Sequence, residues 1–232
     1  MQTTSELYRT LARTPGHVKE VIVRIAGRDY VMETDIVSLS TSGGAFPEAD
    51  VGNCMSRQID LVLRKPGEIP WNAEMRVFAR LRVEDQVSEW LPKGVFFIAS
   101  RKSGTLSETL KIHGFDAMLK AGDVWDIDPY ANWPMPQREA VDDIARQMGI
   151  EVDPRTSVTP DFPVGYPVDE DGGLTMTDIL EGIAVCNAGN WVISDEGKLL
   201  LLRYGDIPEE TNYLVTEHGR AIVIGGKRIL VG

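Results

Sequence analysis

Between Met75 and Val83 every second residue is apolar. Met75, Val77, Ala79, Leu81 and Val83 point one way, and Arg76, Phe78, Arg80 and Arg82 the other. A period of two is the mark of a strand, because successive side chains leave opposite faces of a sheet. Arg57 to Leu63 repeats the pattern with Ile59, Leu61 and Leu63, and Val18 to Ile25 does so with Val21, Val23 and Ile25. Tyr30 to Met32, Asp35 to Ser40, Val87 to Trp90, Val95 to Ala99 and Thr105 to His113 read as further strands. The links are short and polar: Ala26-Gly27-Arg28-Asp29, Lys65-Pro66-Gly67, Glu84-Asp85-Gln86, Lys93-Gly94 and Arg101 to Gly104, with a loop at Thr41-Ser42-Gly43-Gly44. Parallel pairing needs crossovers of about a dozen residues or more. Links this short therefore predict an antiparallel sheet curled into a barrel or sandwich.

The block from Trp90 to Lys120 departs from simple alternation. Phe96 and Ile98 alternate with Val95 and Phe97, so both faces of that strand are apolar. One face belongs to the interior, and the other calls for cover by a connector or a neighbouring subunit. Asp116 is placed to cap a helical turn reaching Leu119. The basic face of Met75 to Val83 is either solvated or set against an acidic neighbour.

Helical spacing is confined to three places. Leu7, Tyr8 and Leu11 lie in Ser5 to Arg13, with Ser5 as cap and Pro15-Gly16 as stop. Val141, Ile144, Ala145 and Met148 form a stripe that begins at Pro136 and ends at Gly149. Ile179, Leu180, Ile183 and Ala184 follow Thr175, with Asp178 three residues on as a capping box, and Asn187-Ala188-Gly189 ends that helix. Trp125 to Pro136 is an irregular connector, and residues 151 to 173 are a long loop rich in Asp, Pro and Gly. Trp191 to Ser194 and Leu199 to Arg203 form a hairpin about Asp195-Glu196-Gly197. Tyr213 to Val215, Ala221 to Ile224 and Arg228 to Val231 are the last strands. The expected class is mainly β with α insertions (α+β), in two barrel-like antiparallel units joined by a helical connector. The expected divisions are an N-terminal arm at 1–17, a first β domain at 18–120, the connector at 121–189 and a second β unit at 190–232.

Composition narrows the function. The chain has 232 residues, 43% hydrophobic and 25% charged, enough for a substantial core. No apolar run approaches the about 18 residues of a membrane span. The N-terminal segment has no apolar stretch of the secretory kind, so assembly inside a cell is expected. A net charge of -11 disfavours tight binding of nucleic acid, which depends on Lys and Arg contacts to phosphate. It serves solubility, and it also suits an acidic wall past which DNA could move without sticking.

Chemistry is sparse. No HExxH, GxSxG or paired Cys/His spacing occurs. Cys54 and Cys186 lie in no CxxC pattern and read as free thiols in preference to a disulfide. His17, His113 and His218 are scattered, so no metal site is expected. Asp142-Asp143 and Asp169-Glu170-Asp171 are carboxylates adjacent in sequence on a helix surface and in a loop, whereas glycosidase chemistry needs two carboxyls facing one another across a cleft, an arrangement that sequence does not show. Trp125, Tyr130 and Trp133 either fill a gap between domains or offer a surface for stacking on sugar. No catalytic, cofactor-binding or metal-ligating residue is assigned, and no cofactor is expected.

Four segments carry a resemblance. They are Ala49-Asp50-Val51-Gly52-Asn53-Cys54-Met55-Ser56 running into the strand Arg57 to Leu63, and Trp90 to Ile98 continuing through His113-Gly114-Phe115-Asp116-Ala117-Met118-Leu119-Lys120. Ala140 to Asp153 is the third. Thr177-Asp178-Ile179-Leu180 through Ala184, with Gly189-Asn190-Trp191-Val192-Ile193-Ser194 and Gly197-Lys198-Leu199, is the fourth. Their order and spacing over residues 18 to 204 resemble the baseplate hub or tail-tip proteins of tailed phages and prophages. The resemblance implies a structural, non-enzymatic subunit of a homotrimeric ring with two barrel-type domains per subunit. Such a ring would adapt a six-fold tail tube to a three-fold spike or fibre and pass DNA through its lumen. Implied partners are a distal tail or tube protein, the tape measure protein and a central spike or fibre, in a virion tail assembled in the bacterial cytoplasm. Members of that family are usually longer, so residues 190 to 232 are either a compact second barrel or a truncated one. The rival expectations are a tail-associated carbohydrate- or receptor-binding module and a tail-associated cell-wall hydrolase or peptidase.

Overall fold

The computed structural model describes residues 3–44, 50–64, 66–103, 108–128, 130–167, 173–204, 223–224 and 227–228. Helix α1 (Glu6–Arg13) precedes strands β1 (Val18–Ile25), β2 (Arg28–Val31), β3 (Ile36–Ser42), β4 (Cys54–Met55), β5 (Gln58–Arg64), β6 (Glu74–Val83), β7 (Gln86–Val87), β8 (Leu91–Ser103) and β9 (Thr109–Phe115). A 3-10 turn (Ala117–Gly122), α2 (Gln137–Met148), α3 (Met176–Cys186), β10 (Gly189–Ile193), β11 (Leu199–Arg203), β12 (Val223–Ile224) and β13 (Lys227–Arg228) follow. The chain divides into two compact units, Met1–Leu202 and Arg203–Gly232. In the second, β12 and β13 pair antiparallel, Val223 with Arg228 and Ile224 with Lys227. The strand expected at Tyr213 to Val215 lies outside the described residues. So do Ala221 and Ile222 of the next expected strand, and Ile229, Leu230 and Val231 of the last.

The class is α+β with antiparallel pairing dominant. Eight strands form the large sheet in the order β2-β1-β6-β8-β9-β5-β3, with β7 beside β6, and every pairing in it is antiparallel. The buried alternation sits where the sequence put it: Ile59, Leu61 and Leu63 on β5, and Met75, Val77, Ala79 and Leu81 on β6. Tyr30 on one edge strand and Ile36 on the other share a core cluster with Phe96 and Ile112 from the middle. The sheet therefore bends around its own core. It remains open, because no ladder joins β2 to β3 among the described residues. These edges are consecutive in sequence, linked only by Met32 to Asp35.

A turn expected at Lys93-Gly94 is instead the interior of β8, a strand of 13 residues. Val77 pairs with Gly94 and Phe78 with Pro92, leaving Lys93 as the extra residue of a bulge. Gly94 has φ +145°, and a Cβ there would stand 2.5 Å from Cε2 of Phe96. Gly94→Ala is expected to cost about 1–3 kcal/mol, through backbone strain and overpacking together. An unchanged midpoint in urea unfolding would contradict this.

The basic face of β6 meets its acidic neighbour within the sheet. Glu20 on β1 accepts from Nε of Arg80 and Nε of Arg82, each at 2.6 Å. Arg80 also lies 4.4 Å over the Trp90 ring, and Arg24 5.4 Å over Phe78. At the chain start Ser5 caps α1 through Tyr8 N–H, while Glu89 holds Ser5 by its amide and its hydroxyl.

The two longer helices, the 3-10 turn and the hairpin β10–β11 build a second core around Trp191, which is fully buried. Thr175 and Asp178 form the expected capping box, and Gly149 is the left-handed C-cap of α2. The small sheet runs β11-β10-β4. Its β10–β4 pairing is parallel, Trp191 with Cys54 and Val192 with Met55, although only antiparallel units were expected. The reason is topological: β4 lies far upstream of β10, and the intervening chain supplies the crossover that a parallel pair requires.

Candidate functional site

Two places gather polar or aromatic groups: a seam between the two cores, and a cleft along the connector. Along the seam, residues 50–57 run beside 189–195. Gly52 N–H donates to Gly189 O, Trp191 N–H to Asn53 O, Asn53 N–H to Asn190 Oδ1 and Asn190 Nδ2 to Asp50 O. The strand with two apolar faces lies here. Phe96 faces the sheet core, while Phe97 packs against the helical core with Lys120 Nζ 4.0 Å from its ring centre. The outer face of β8 is thus covered by the chain's own 3-10 turn and helices.

Arg57 closes the seam. Its Nη1 donates to Asp195 Oδ1 at 2.8 Å and its Nη2 to Ser194 O at 3.1 Å. Nε stands 3.5 Å from Asp116 Oδ2 without a hydrogen bond, the one such buried side-chain nitrogen or oxygen among the described residues. Asp116 does cap the 3-10 turn as expected, and its carboxylate has no exposure. It accepts from Ser56 Oγ, Arg57 N–H and Met118 N–H at 2.9–3.1 Å. Burial nevertheless pushes its carboxyl above the usual range, outweighing those three bonds and the nearby guanidinium.

A cavity of about 390 Å³ opens beside Arg57. Its wall holds Arg57, Arg155 and Lys198 against Asp153, Asp195 and Glu196, so the charges balance. Arg57 pairs with Asp195, Arg155 with Asp153 and Lys198 with Glu151, so no cation is left over for an anionic ligand. The Arg155 guanidinium, in a forked pair at 2.7 and 2.8 Å, holds the buried Asp153 carboxyl below its ordinary value. A folded-state pKa below the unfolded one stabilises the fold above the ordinary carboxylate range and is lost as pH falls through the folded value. Asp153→Asn is therefore expected to cost about 1.5–3 kcal/mol at neutral pH. That gap should close toward pH 3, and a gap independent of pH in urea unfolding would reject the cause.

The connector splits the three aromatic residues singled out in the sequence. Trp125 is core, with Nε1 donating to Asp143 Oδ2 at 2.8 Å. Trp133 is half-buried and meets Trp125 and Tyr166 edge-on, with ring centres 6.0 and 5.3 Å away. Tyr130 is 94% exposed. A cavity of about 520 Å³ lies against Trp125 and Trp133, bordered by Asp126, Asp128, Glu139 and the Asp143–Arg146 pair. Tyr166, Glu139 and Arg146 carry no signal in the sequence. Tyr166 sits in a loop without periodicity, and the other two are ordinary charges on a helix surface.

The remaining residues weighed in the sequence stay apart. Asp142 pairs with Arg138, and Asp143 serves Trp125, Arg146 and Gln147. Asp169, Glu170, Asp171 and His218 lie outside the described residues. His113 contacts Asp60 at 2.9 Å, and His17 contacts Thr14 O at 3.0 Å. Cys54 and Cys186 are free thiols, and burial pushes the Cys54 thiol far up, away from reactivity. No cluster of three or more metal-ligating side chains occurs among the described residues. No helix among them is long and apolar enough to cross a membrane.

No known family profile matches the chain, and no curated protein matches it. Solved structures do. The 43 kDa tail protein of prophage MuSo2 from Shewanella oneidensis superposes with a TM-score of 0.53 at 14% identity, covering 81% of this chain and 56% of that one. The tail protein from Neisseria meningitidis MC58 gives 0.52 at 16% identity, covering 79% of this chain and 51% of that one. The chain spans about half the length of these two tail proteins, and it shares their fold.

Proposed function

We propose that this protein is a structural, non-enzymatic component of a phage or prophage tail, placed at the baseplate hub or tail tip. The observation that carries the reading is the fold it shares with two tail proteins over about four-fifths of its length. In this reading three copies form a ring, with the open curled sheet and the β10–β11 unit standing as the two barrel-like parts of each copy. The ring adapts a six-fold tube to a three-fold spike or fibre. Its neighbours are a distal tail or tube protein, the tape measure protein and that spike, and its place is the virion tail. The net charge of -11 suits a lumen that passes DNA without holding it.

Light scattering on the purified chain, alone and mixed with its tail partners, is the test, paired with negative-stain imaging. A mass three times that of the 25.7 kDa chain and a three-fold ring are expected. A strict monomer at high concentration, forming no ring with those partners, would sink the proposal.

A further inference from the structure

The cleft at Trp125 and Trp133 is built unlike the balanced cavity beside Arg57. Its volume, about 520 Å³, falls in the range of pockets that hold small groups. The half-buried Trp133 and the almost fully buried Trp125 line it, and an indole face attracts cations more strongly than any other side-chain ring. Around the rings stand Asp126, Asp128 and Glu139, all lining the cleft. The cation at its border, Arg146, is already paired with Asp143. Asp143 is itself held by Trp125 Nε1 and Gln147 Nε2. Neither Asp126 nor Glu139 has a cationic partner among the described residues. Half-exposed Tyr166 meets the Trp133 ring edge-on at 5.3 Å and extends the aromatic surface. Aromatic residues of this kind are enriched where proteins dock.

From this combination we infer that the cleft receives a single arginine or lysine side chain from a segment of a partner protein. Charge complementarity selects the occupant. A neutral saccharide could stack on Trp133 and donate hydroxyl hydrogen bonds to the carboxylates, but it would leave their negative charge unmatched, and an anionic glycan would be repelled. Binding at the cleft and ring formation are read by different measurements, so the two proposals can fail separately.

The test uses the full chain labelled with 15N, following the indole N–H signals of Trp125 and Trp133. The probe is acetyl-Gly-Ser-Arg-Ser-Gly-amide, beside a twin in which uncharged citrulline replaces arginine, and chitotetraose. The arginine peptide is expected to move both signals saturably, with the citrulline twin about tenfold weaker. Glu139→Gln and Asp126→Asn should each weaken the arginine peptide several-fold, and added salt should do the same. Equal responses to arginine and citrulline would overturn the inference. So would saturable binding of chitotetraose with none of the peptide, or an unsaturable drift of every indole signal.

Discussion

Trp191→Ala is expected to lower the unfolding free energy by about 3–5 kcal/mol, the largest loss from any single truncation in the helical core. The Trp191 ring is fully buried, and its Nε1 donates to Leu180 O at 2.7 Å. Truncation opens a void between α3 and the small sheet, and it removes the indole hydrogen bond to the Leu180 carbonyl, which keeps only its own helical partner. Trp191 also pairs with Cys54 in the parallel ladder, so the damage reaches the seam. For a unit of this size the melting temperature should drop by about 2–4 °C per kcal/mol. Trp191→Phe should recover much of the packing but not the hydrogen bond. A midpoint within error of the wild type for the alanine variant would refute this account of the core.

Asp116→Ala is the second large effect, about 3–5 kcal/mol at neutral pH. It strips an acceptor from Ser56, Arg57 N–H and Met118 N–H at once and leaves the Arg57 guanidinium facing an emptied site. Arg57→Met should be costly as well, because it abandons a carboxylate with no exposure. The double variant is expected to cost less than the sum of the two by at least about 1 kcal/mol. Each single change takes from the other side chain an opposite charge in the seam, although Arg57 keeps Asp195. Additivity within about 0.5 kcal/mol would show that the two side chains act separately. The pH dependence runs opposite to that of Asp153. A carboxyl raised by burial favours the fold most below its ordinary value of 3.8 and loses that contribution as pH rises through the folded value. The gap between wild type and Asp116→Ala should thus widen toward acid, while the Asp153→Asn gap narrows. The two carboxylates differ because desolvation dominates one and a forked arginine pair the other.

Local signals in the chain carried far. The alternation in β5 and β6, the Ser5, Asp116 and Thr175 caps and the Gly149 stop all describe contacts within a few residues, and each sits where its sequence placed it. Gly94 carries the local signal of a turn but sits inside a strand. Lys-Gly after a tryptophan-proline stretch has the chemistry of a turn, and only pairing with β6 distinguishes a bulge from one. Trp125 and Trp133 were legible as a pair of interest, and Asp126 adjoins Trp125 in sequence, but Glu139 became their neighbour only when α2 folded against the connector.

By itself the sequence determined the alternating strands β1, β5 and β6, the three helices with their caps, the antiparallel character of the large sheet, and an acidic chain without catalytic motifs. These follow from period, capping and charge, which act over one or two turns of chain. The turns expected at Lys93-Gly94 and Arg101 to Gly104 instead fall within β8 as far as Ser103. The tertiary structure decided the rest: the parallel pairing of β4 with β10, the Arg57 clasp to Asp195, the cover over β8 and the composition of the cleft. Each joins segments that are distant in sequence or meet only by packing. Such contacts are selected by which buried faces and charges complement one another once the chain is compact, and no local pattern encodes that match.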